Sequence, residues 1–269
     1  MNKKSIAEIR EELKNTRPEQ LEEHMAPYRT DQRKGVQNII KTQEKRLRNY
    51  QAELRRLESI CRFEKEYGDY TYICGIDEVG RGPLAGPVVA GAVILPKDCR
   101  ILYINDSKKL SAQKREELCG IIKEKAVAVG IGMANHEIID EINLLQATYE
   151  AMRRAIGNLN VRPDLLLNDA VTIPQVDIPQ VPIIKGDARS ISIGAASILA
   201  KVYRDHMMEE YDQIYPGYGF ASNKGYGSKE HVEALKKMGP CPIHRRSFLK
   251  SILGQNEKII SGKPFIYNG

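Results

Sequence analysis

The sequence has no apolar run near the roughly 20 residues needed to cross a bilayer. Its first residues, Met-Asn-Lys-Lys-Ser-Ile-Ala-Glu, lack the apolar core of a secretory signal peptide. The five cysteines are scattered and form no Cys-x-x-Cys pair, which indicates reduced thiols rather than a disulfide framework or a zinc site. Internal repeats and low-complexity tracts are also absent. These absences predict a cytoplasmic protein without a membrane-spanning segment.

The charge balance is modest, with a net charge of +6 in 269 residues. A surplus of this size permits a nucleic-acid partner but does not demonstrate one. The length is sufficient for a full hydrophobic core, and it favours one domain plus an extension. We expect a basic helical N-terminal extension at residues 1–70, a catalytic domain at 71–255 and a tail at 256–269.

The expected extension has a helical pattern. Residues 5–8, Ser-Ile-Ala-Glu, match a capping box and predict a short helix ending near Asn15. From Asp31 to Glu66, apolar residues recur at helical spacing, interrupted by Gln43. The other faces of this long helix are rich in basic residues, namely Arg33, Lys34, Lys41, Lys45, Arg46, Arg48, Arg55 and Arg56. Such a helix could lie along a nucleic acid, but packing against protein with a solvated basic face is the more common arrangement.

The most informative segment begins with two adjacent acids. Asp77 and Glu78 follow the apolar run at 72–76, and a second apolar run occupies 88–95. The two runs predict two strands joined by a Gly/Pro-rich loop. Because burying an unpaired carboxylate is costly, the acids are poorly explained as core residues. They indicate a metal site.

The loop itself indicates a second binding feature beside the acids. Gly80 and Gly82 flank Arg81, so the backbone can approach a ligand closely and expose its N–H groups. A cationic loop of this kind suits a phosphate or a sugar. The segment as a whole therefore predicts a metal site next to a phosphate or sugar site.

The remainder of the catalytic region alternates between helical and strand patterns. The predicted elements are a helix from the N-cap Ser111 to Lys125, a strand at Val127–Met133, a polar connection at Glu137–Asn143, a helix at Leu144–Leu159, a strand at Leu165–Leu167 and a helix from Ser190 to Tyr215. This order predicts an α/β domain in which helices flank a mixed sheet.

Two further acids, Asp169 and Asp187, also follow predicted strands. Residues at strand ends can meet at one edge of a sheet although they are distant in sequence. Four carboxylates there would suit Mg²⁺ or Mn²⁺, and two such ions can promote phosphodiester hydrolysis. Taken singly, Asp169 and Asp187 are more readily explained as ordinary loop or cap residues than as metal ligands, and sequence spacing alone does not prove that the four acids meet.

A glycine- and aromatic-rich tract follows the last predicted helix, at residues 215–220 and 224–228. Basic residues outnumber acids between Lys224 and Lys250. Aromatic rings interleaved with cations fit sugar or base stacking combined with phosphate contact. The alternative is a solvated helix followed by a basic tail.

The motifs together resemble the ribonuclease HII family, the bacterial type 2 ribonucleases H. The resembling segments are Gly75–Pro87, Asp106–Ser111, Asn143–Thr148, Lys185–Ser190, Ala195–Val202, Tyr215–Phe220, Lys224–Ser228 and His244–Phe248. The resemblance implies an RNase H-like mixed sheet and hydrolysis of the RNA strand of RNA–DNA hybrids. It also implies incision on the 5′ side of ribonucleotides embedded in duplex DNA, leaving 3′-hydroxyl and 5′-phosphate ends.

The resemblance also assigns roles to residues. It implies that Mg²⁺ or Mn²⁺, as two ions during catalysis, is held by Asp77, Glu78, Asp169 and Asp187. It implies that Gly80, Arg81 and Gly82 read the ribose 2′-hydroxyl, the group that distinguishes RNA from DNA. Tyr226 is similar to the tyrosine that packs on the following deoxyribose, and we count Lys185 and Lys224 as further substrate contacts. We expect a monomer.

Two features depart from the pattern. Asn168-Asp169-Ala170 stands where the family more often has an apolar residue, the acid and glycine, and the basic extension lies outside the shared core and takes no role from it. A ribonuclease HIII-like enzyme, which handles isolated ribonucleotides poorly, is the nearest alternative. Its usual fourth acid is glutamate and its extension is β-rich, so Asp187 and the helical extension favour ribonuclease HII. A non-catalytic hybrid-binding protein would be expected to lack at least one acid.

Overall fold

The computed structural model describes residues 4–253, and the expected tail at 256–269 lies outside them. The chain forms two compact units, Met1–Ser59 and Ile60–Gly269. Within the described part, no helix is long and apolar enough to cross a membrane.

The first unit is helical, as its sequence predicts. Its α-helices are α1 (Ile6–Asn15), α2 (Leu21–Met25) and α3 (Lys34–Ile60). The predicted capping box is confirmed at the start of α1, where Ser5 Oγ accepts from Glu8 N and the Glu8 carboxylate accepts from Ser5 N. Its core consists of the buried residues Ile9, Leu13, Leu21, Met25, Val36, Ile39 and Ile40.

The prediction of one helix from Asp31 to Glu66 is wrong in its extent. The helix ends at Ile60, and a separate short helix, α4 (Arg62–Glu66), follows. In α4 the carboxylate of Glu64 accepts hydrogen bonds from Ser190 Oγ (2.5 Å) and Ser192 N (3.1 Å). The residues after Ile60 therefore form a separate short helix, which Glu64 anchors to residues 190–192.

The second unit contains a five-stranded mixed sheet with helices on its faces. Its elements after α4 are β1 (Ile73–Val79), β2 (Val88–Ile94), α5 (Ala112–Lys125), β3 (Ala128–Ala134), α6 (His136–Gly157), β4 (Leu165–Asp169), β5 (Gln180–Ile183), α7 (Ile191–Ile214), α8 (Phe220–Asn223), α9 (Lys229–Met238) and α10 (Arg246–Leu253). The strand order is β3-β2-β1-β4-β5. The first three strands pair antiparallel, and β1–β4 and β4–β5 pair parallel. The predicted fold class is confirmed.

Glycines allow α7 to lie directly on the central strands. A Cβ on Gly75 of β1 would overlap the backbone of Ser192, and one on Gly91 of β2 would overlap the carbonyl of Ala196. Glycine in a strand commonly marks such a close approach of another backbone. This contact holds the start of α7 close to the strands that carry the acids.

The predicted polar connection at residues 137–143 is wrong, because α6 begins at His136. Asn135 caps it by accepting from Ile138 N (3.0 Å), and Ile139 is anchored in the core. The predicted start of the following helix near Leu144 corresponds to a kink. Asn143 has φ 68° and ψ 164°, and its side chain caps the second part of α6. The packing of Ile138 and Ile139 against the core therefore holds this mostly polar segment in the helix.

Candidate active site

Three of the four acids lie near the carboxyl ends of two adjacent inner strands of the sheet, β1 and β4. Asp77 and Glu78 belong to β1, and Asp169 is the last residue of β4. These strands pair in parallel, with Ile76 opposite Asn168. The next residues of the two strands, Asp77 and Asp169, therefore lie side by side.

The electrostatics of these acids reflect their closeness. Asp77 is 6% exposed, and burial raises its pKa well above the ordinary value, with the charges of Glu78 and Asp169 adding to the effect. Burial also raises the pKa of Glu78, against a lowering influence of Arg81. Like charges held together out of water destabilise one another, so the group is suited to binding a cation.

Asp187 approaches the same group from a short 3₁₀ turn between β5 and α7. Gly186 N donates to Asp169 Oδ1 (2.7 Å), which joins the turn to the end of β4. Burial raises the pKa of Asp187, and the charges of Asp106 and Asp169 raise it further. The structure thus brings the fourth acid within electrostatic reach of Asp169.

Asp106 is a fifth nearby acid, to which the sequence reasoning gave no role. It precedes a 3₁₀ turn at Ser107–Lys109 and accepts from Lys108 N (3.0 Å). The signal that could have identified it was its place in a polar loop that resembles the family.

The acids are neighbours, but their side chains are not arranged to coordinate a metal ion together. Among residues 4–253, no three His, Cys, Asp or Glu side chains are grouped so that they could hold a metal ion as they stand. Their assignment as metal ligands therefore stays a prediction.

The two glycines of the 80–82 loop have different environments. Gly80 has φ +89°, and a Cβ there would overlap Arg204 Nε and lie 2.7 Å from Pro87 O. Among the described residues, a Cβ on Gly82 would have a single neighbour within 4 Å, Tyr226 Cε1 at 3.6 Å. The fold requires glycine at position 80, whereas at position 82 it leaves room for a side chain.

Arg81 and Tyr226 flank this open position. The Arg81 guanidinium lies 3.3 Å from Glu78 Oε1, and about half of its side chain is exposed. Tyr226 is 40% exposed and is held beside the loop because Leu84 N donates to Gly225 O (2.8 Å). An exposed cation, an open backbone position and an exposed aromatic ring therefore adjoin the acids.

The two predicted lysine contacts differ from each other. Lys224 Nζ bonds to Glu209 Oε1 at 2.6 Å, and its side chain is only 16% exposed. Lys185 is exposed and directly precedes the turn that carries Asp187. The roles of both residues in substrate binding stay predictions.

Two buried arginines were missed by the sequence reasoning. Arg204 and Arg245 have no exposed surface, and both donate to backbone carbonyls of the segment 80–87. Arginine is almost never fully buried without a partner. The available signal was only that Arg245 stands in a segment resembling the family.

Comparison with known families matches both units. A family model described as Ribonuclease HII matches residues 74–251, and one described as Ribonuclease HII N-terminal domain matches residues 5–68. The second match places the helical extension, to which the resemblance gave no role, within the same family.

Similar proteins agree with these matches. Ribonuclease HII of Lachnoclostridium phytofermentans is 66% identical over 225 residues, covering 84% of this chain and 89% of the relative. Ribonuclease HII of Clostridioides difficile is 56% identical over 255 residues, covering 94% and 100%. The crystal structure of ribonuclease H2 from Pyrococcus horikoshii OT3 is 27% identical, with a TM-score of 0.58, and the match covers 70% of this chain and 99% of that one. The chain belongs to the ribonuclease HII family, and it is a nuclease with ribonuclease H activity on RNA–DNA hybrids.

Proposed function

We propose that this enzyme also incises duplex DNA on the 5′ side of an embedded ribonucleotide, leaving 3′-hydroxyl and 5′-phosphate ends. The observation that supports the proposal most directly is the open backbone position at Gly82, between exposed Arg81 and exposed Tyr226 and beside the acids. A sugar can approach the chain closely there. The 2′-hydroxyl is the group such a site would have to recognise.

We assign the divalent cation, Mg²⁺ or Mn²⁺, to the carboxylates of Asp77, Glu78, Asp169 and Asp187. The donor set fits these ions, because it consists of oxygens and the charge of Asp169 adds to the burial that raises the pKa of Asp77, Glu78 and Asp187. When bound, two such ions supply an activated water and stabilise the leaving oxygen of a phosphodiester. The four acids would hold these ions, and Arg81 balances part of the charge of Glu78.

Within this proposal, the loop and the tyrosine read two successive sugars. The backbone at residues 80–82 contacts the 2′-hydroxyl of the ribonucleotide. The exposed ring of Tyr226 offers a flat apolar surface that favours the following deoxyribose, which lacks that hydroxyl. The enzyme would then recognise an RNA–DNA junction rather than a uniform strand.

The direct test uses a DNA duplex with a single ribonucleotide, incubated with Mg²⁺, with Mn²⁺ or with EDTA. We expect metal-dependent cutting at one position, 5′ of the ribonucleotide, with the end groups stated above. Cleavage of long hybrids but not of this duplex would instead support the ribonuclease HIII-like alternative. Tight binding without cleavage of either substrate would support a non-catalytic hybrid-binding protein.

Arg81→Ala should reduce cleavage at a single ribonucleotide. The substitution removes a charged group from the proposed contact with the ribose 2′-hydroxyl. A hydrogen bond that involves a charged group contributes about 1.5–3 kcal/mol, so we expect kcat/KM to fall about 10-fold or more. Steady-state kinetics on the single-ribonucleotide duplex measures this, with Arg100→Ala as the control because Arg100 is also exposed but lies in the loop after β2. Equal rates for the Arg81 variant and the wild type would contradict a substrate role for the side chain.

The first unit carries a predominantly basic stripe on one face of α3. Its successive positions, all exposed, are Lys34, Asn38, Lys41, Lys45, Arg48, Ala52 and Arg55. Five of the seven are cations and none is an acid. This arrangement favours contact with a phosphate backbone over a merely solvated face, and we propose that the stripe binds nucleic acid.

Replacing the five cations of this stripe by glutamine should weaken hybrid binding and reduce its salt dependence. Each lost phosphate contact reduces the slope of log K against log salt by about 0.9 on duplex DNA. Titrations at several salt concentrations measure the slope. The control replaces Arg10 and Lys14, which are exposed on α1. If the five-residue variant keeps the wild-type affinity and slope, α3 does not contact the backbone of the nucleic acid.

A further inference from the structure

The segment between α9 and α10 pairs with the chain that follows Gly80 and Arg81. Its residues 243–245 run antiparallel beside residues 84–86, with a bridge between Ala85 and His244. A backbone hydrogen bond of 2.9 Å lies on either side of this bridge. In an extended segment successive side chains point in opposite directions, so His244 and its neighbour Arg245 form hydrogen bonds with different parts of the protein.

Arg245 binds the backbone of the loop. Its Nε donates to Gly86 O (2.9 Å), Nη1 to Arg81 O (2.8 Å) and Nη2 to Gly80 O (2.5 Å). All three acceptors are carbonyls, and among the described residues no carboxylate forms a salt bridge with Arg245. Burial lowers the pKa of Arg245, so the charge is kept at an energetic cost. A planar guanidinium can satisfy three carbonyls at once, whereas an ammonium cannot match this geometry.

Arg204 supports the same loop from α7. Its Nε donates to Pro87 O (3.0 Å) and its Nη2 to Ala85 O (3.2 Å). Its Nη1 donates to Lys224 O (2.8 Å), which lies two residues before Tyr226. Two buried cations thus fix the carbonyls of one loop, and one of them also reaches the segment with the tyrosine.

His244 is linked to the backbone of Tyr226 by hydrogen bonds through a second histidine, His231. The carbonyl of Tyr226 can only accept, so His231 Nδ1–H must donate to it (2.8 Å). In a neutral ring His231 Nε2 then accepts, and it does so from His244 Nε2–H at 3.0 Å. His244 Nδ1 finally accepts from Cys241 N (3.0 Å). All four ring nitrogens are used, and one set of tautomers satisfies them.

Both rings are held in the neutral form that this chain requires. Neither histidine is more than 1% exposed. Burial lowers the pKa of His231, and it lowers the pKa of His244 to about 3, with the His231 ring adding to the effect. The link from His244 to the Tyr226 backbone is therefore stable at neutral pH.

We propose that His244 and Arg245 are positioning residues that set the spacing between the 80–82 loop and Tyr226, and with it the discrimination of ribonucleotide from deoxyribonucleotide. Arg245 fixes one reading element and His244, through His231, fixes the other. Because the two residues are consecutive, one short stretch of backbone connects both elements. The proposal rests on the function proposed above for the loop and the tyrosine.

The test compares affinities for two duplexes of the same sequence, one all-DNA and one with a single ribonucleotide, in EDTA so that no cleavage occurs. Arg245→Lys keeps the charge but loses the planar fork, and His244→Phe keeps a ring among Tyr218 and Phe220 but removes the hydrogen bonds. Each variant loosens one of the two elements that contact the sugars, and the net contribution of one hydrogen bond to an equilibrium constant is a factor of about 2 to 10. We therefore expect each variant to lower the affinity ratio about 2- to 10-fold, with little change in binding to all-DNA duplex.

A merely structural role would give a different result. Loss of folded protein lowers both affinities together, so an unchanged ratio in folded variants overturns the proposal. The matched control is Arg153→Lys, because Arg153 bonds to Pro174 O and Glu150 and not to the loop. If the Arg245 and His244 variants do not fold, Arg204→Lys tests the same loop from its other side, and a wild-type ratio there overturns the proposal. A wild-type enzyme that binds both duplexes equally would overturn the proposed reading of the 2′-hydroxyl itself.

Discussion

Replacing Asp77 by asparagine should abolish hydrolysis while the protein still binds an RNA–DNA hybrid. The substitution keeps the size of the side chain but removes a charge from the proposed ligand set, where a cation supplies several kcal/mol of transition-state stabilisation. We therefore expect a loss of at least about 1000-fold in kcat. Binding should persist because the loop, Tyr226 and the α3 stripe are unchanged. Turnover in Mg²⁺ comparable to that of the wild type would contradict the assignment of the acids.

The same variant should be more stable than the wild type when no metal is present. The folded-state pKa of Asp77 is raised above its unfolded value of 3.8 by burial and by Glu78 and Asp169. A raised carboxylate pKa means that the charged form opposes folding at neutral pH, and that this penalty is lost as the pH falls through the folded pKa. The neutral amide that replaces the carboxylate carries no such penalty.

Thermal unfolding in EDTA measures this effect. The melting temperature of the Asp77→Asn variant should exceed that of the wild type at pH 7, and the difference should shrink toward pH 4. Asp177→Asn serves as the control because Asp177 is exposed. An Asp77 variant less stable than the wild type at pH 7 would show that the hydrogen bonds of the carboxylate outweigh its burial and repulsion.

Local patterns predicted much of this molecule because their physical causes are local. The capping box of α1 and the Ser111 cap of α5 form where the sequence places them, and α7 begins directly after Ser190, close to its predicted start. Asp77 and Glu78 were identifiable because burying a carboxylate at the end of an apolar strand costs free energy unless the charge has a partner. The helical start of α6 was missed because only Ile138 and Ile139 anchor it in the core, in a segment that is otherwise mostly polar.

The meeting of the acids and the buried supports could not be read from spacing. Asp169 joins Asp77 only because β4 pairs in parallel with β1 in one register, and a shift of two residues would separate them. The carbonyls that Arg245 binds lie 159 to 165 residues earlier in the chain. No local pattern predicts such partners, since a buried arginine and a solvated one look alike in sequence.

Replacing Gly82 by alanine should reduce cleavage strongly without destabilising the protein. Of the two glycines in the loop, the fold requires only Gly80. Gly82→Ala adds a methyl group whose nearest neighbour is Tyr226 Cε1 at 3.6 Å, an ordinary van der Waals contact. Folding should therefore be unaffected. The methyl group would occupy the space into which we place the ribose, so we expect kcat/KM at a single ribonucleotide to fall about 100-fold.

Gly80→Ala is the informative comparison. Its backbone has φ +89° and the added Cβ would overlap Arg204 Nε, so strain of about 1–3 kcal/mol comes before any loss of packing. This variant should lose both stability and activity, whereas the Gly82 variant should lose activity alone, as thermal unfolding and single-ribonucleotide kinetics together can establish. A destabilised Gly82 variant would assign that glycine to the fold. A stable and fully active one would mean that the ribose does not approach the loop there, because a backbone that binds the 2′-hydroxyl directly has no room for a methyl group.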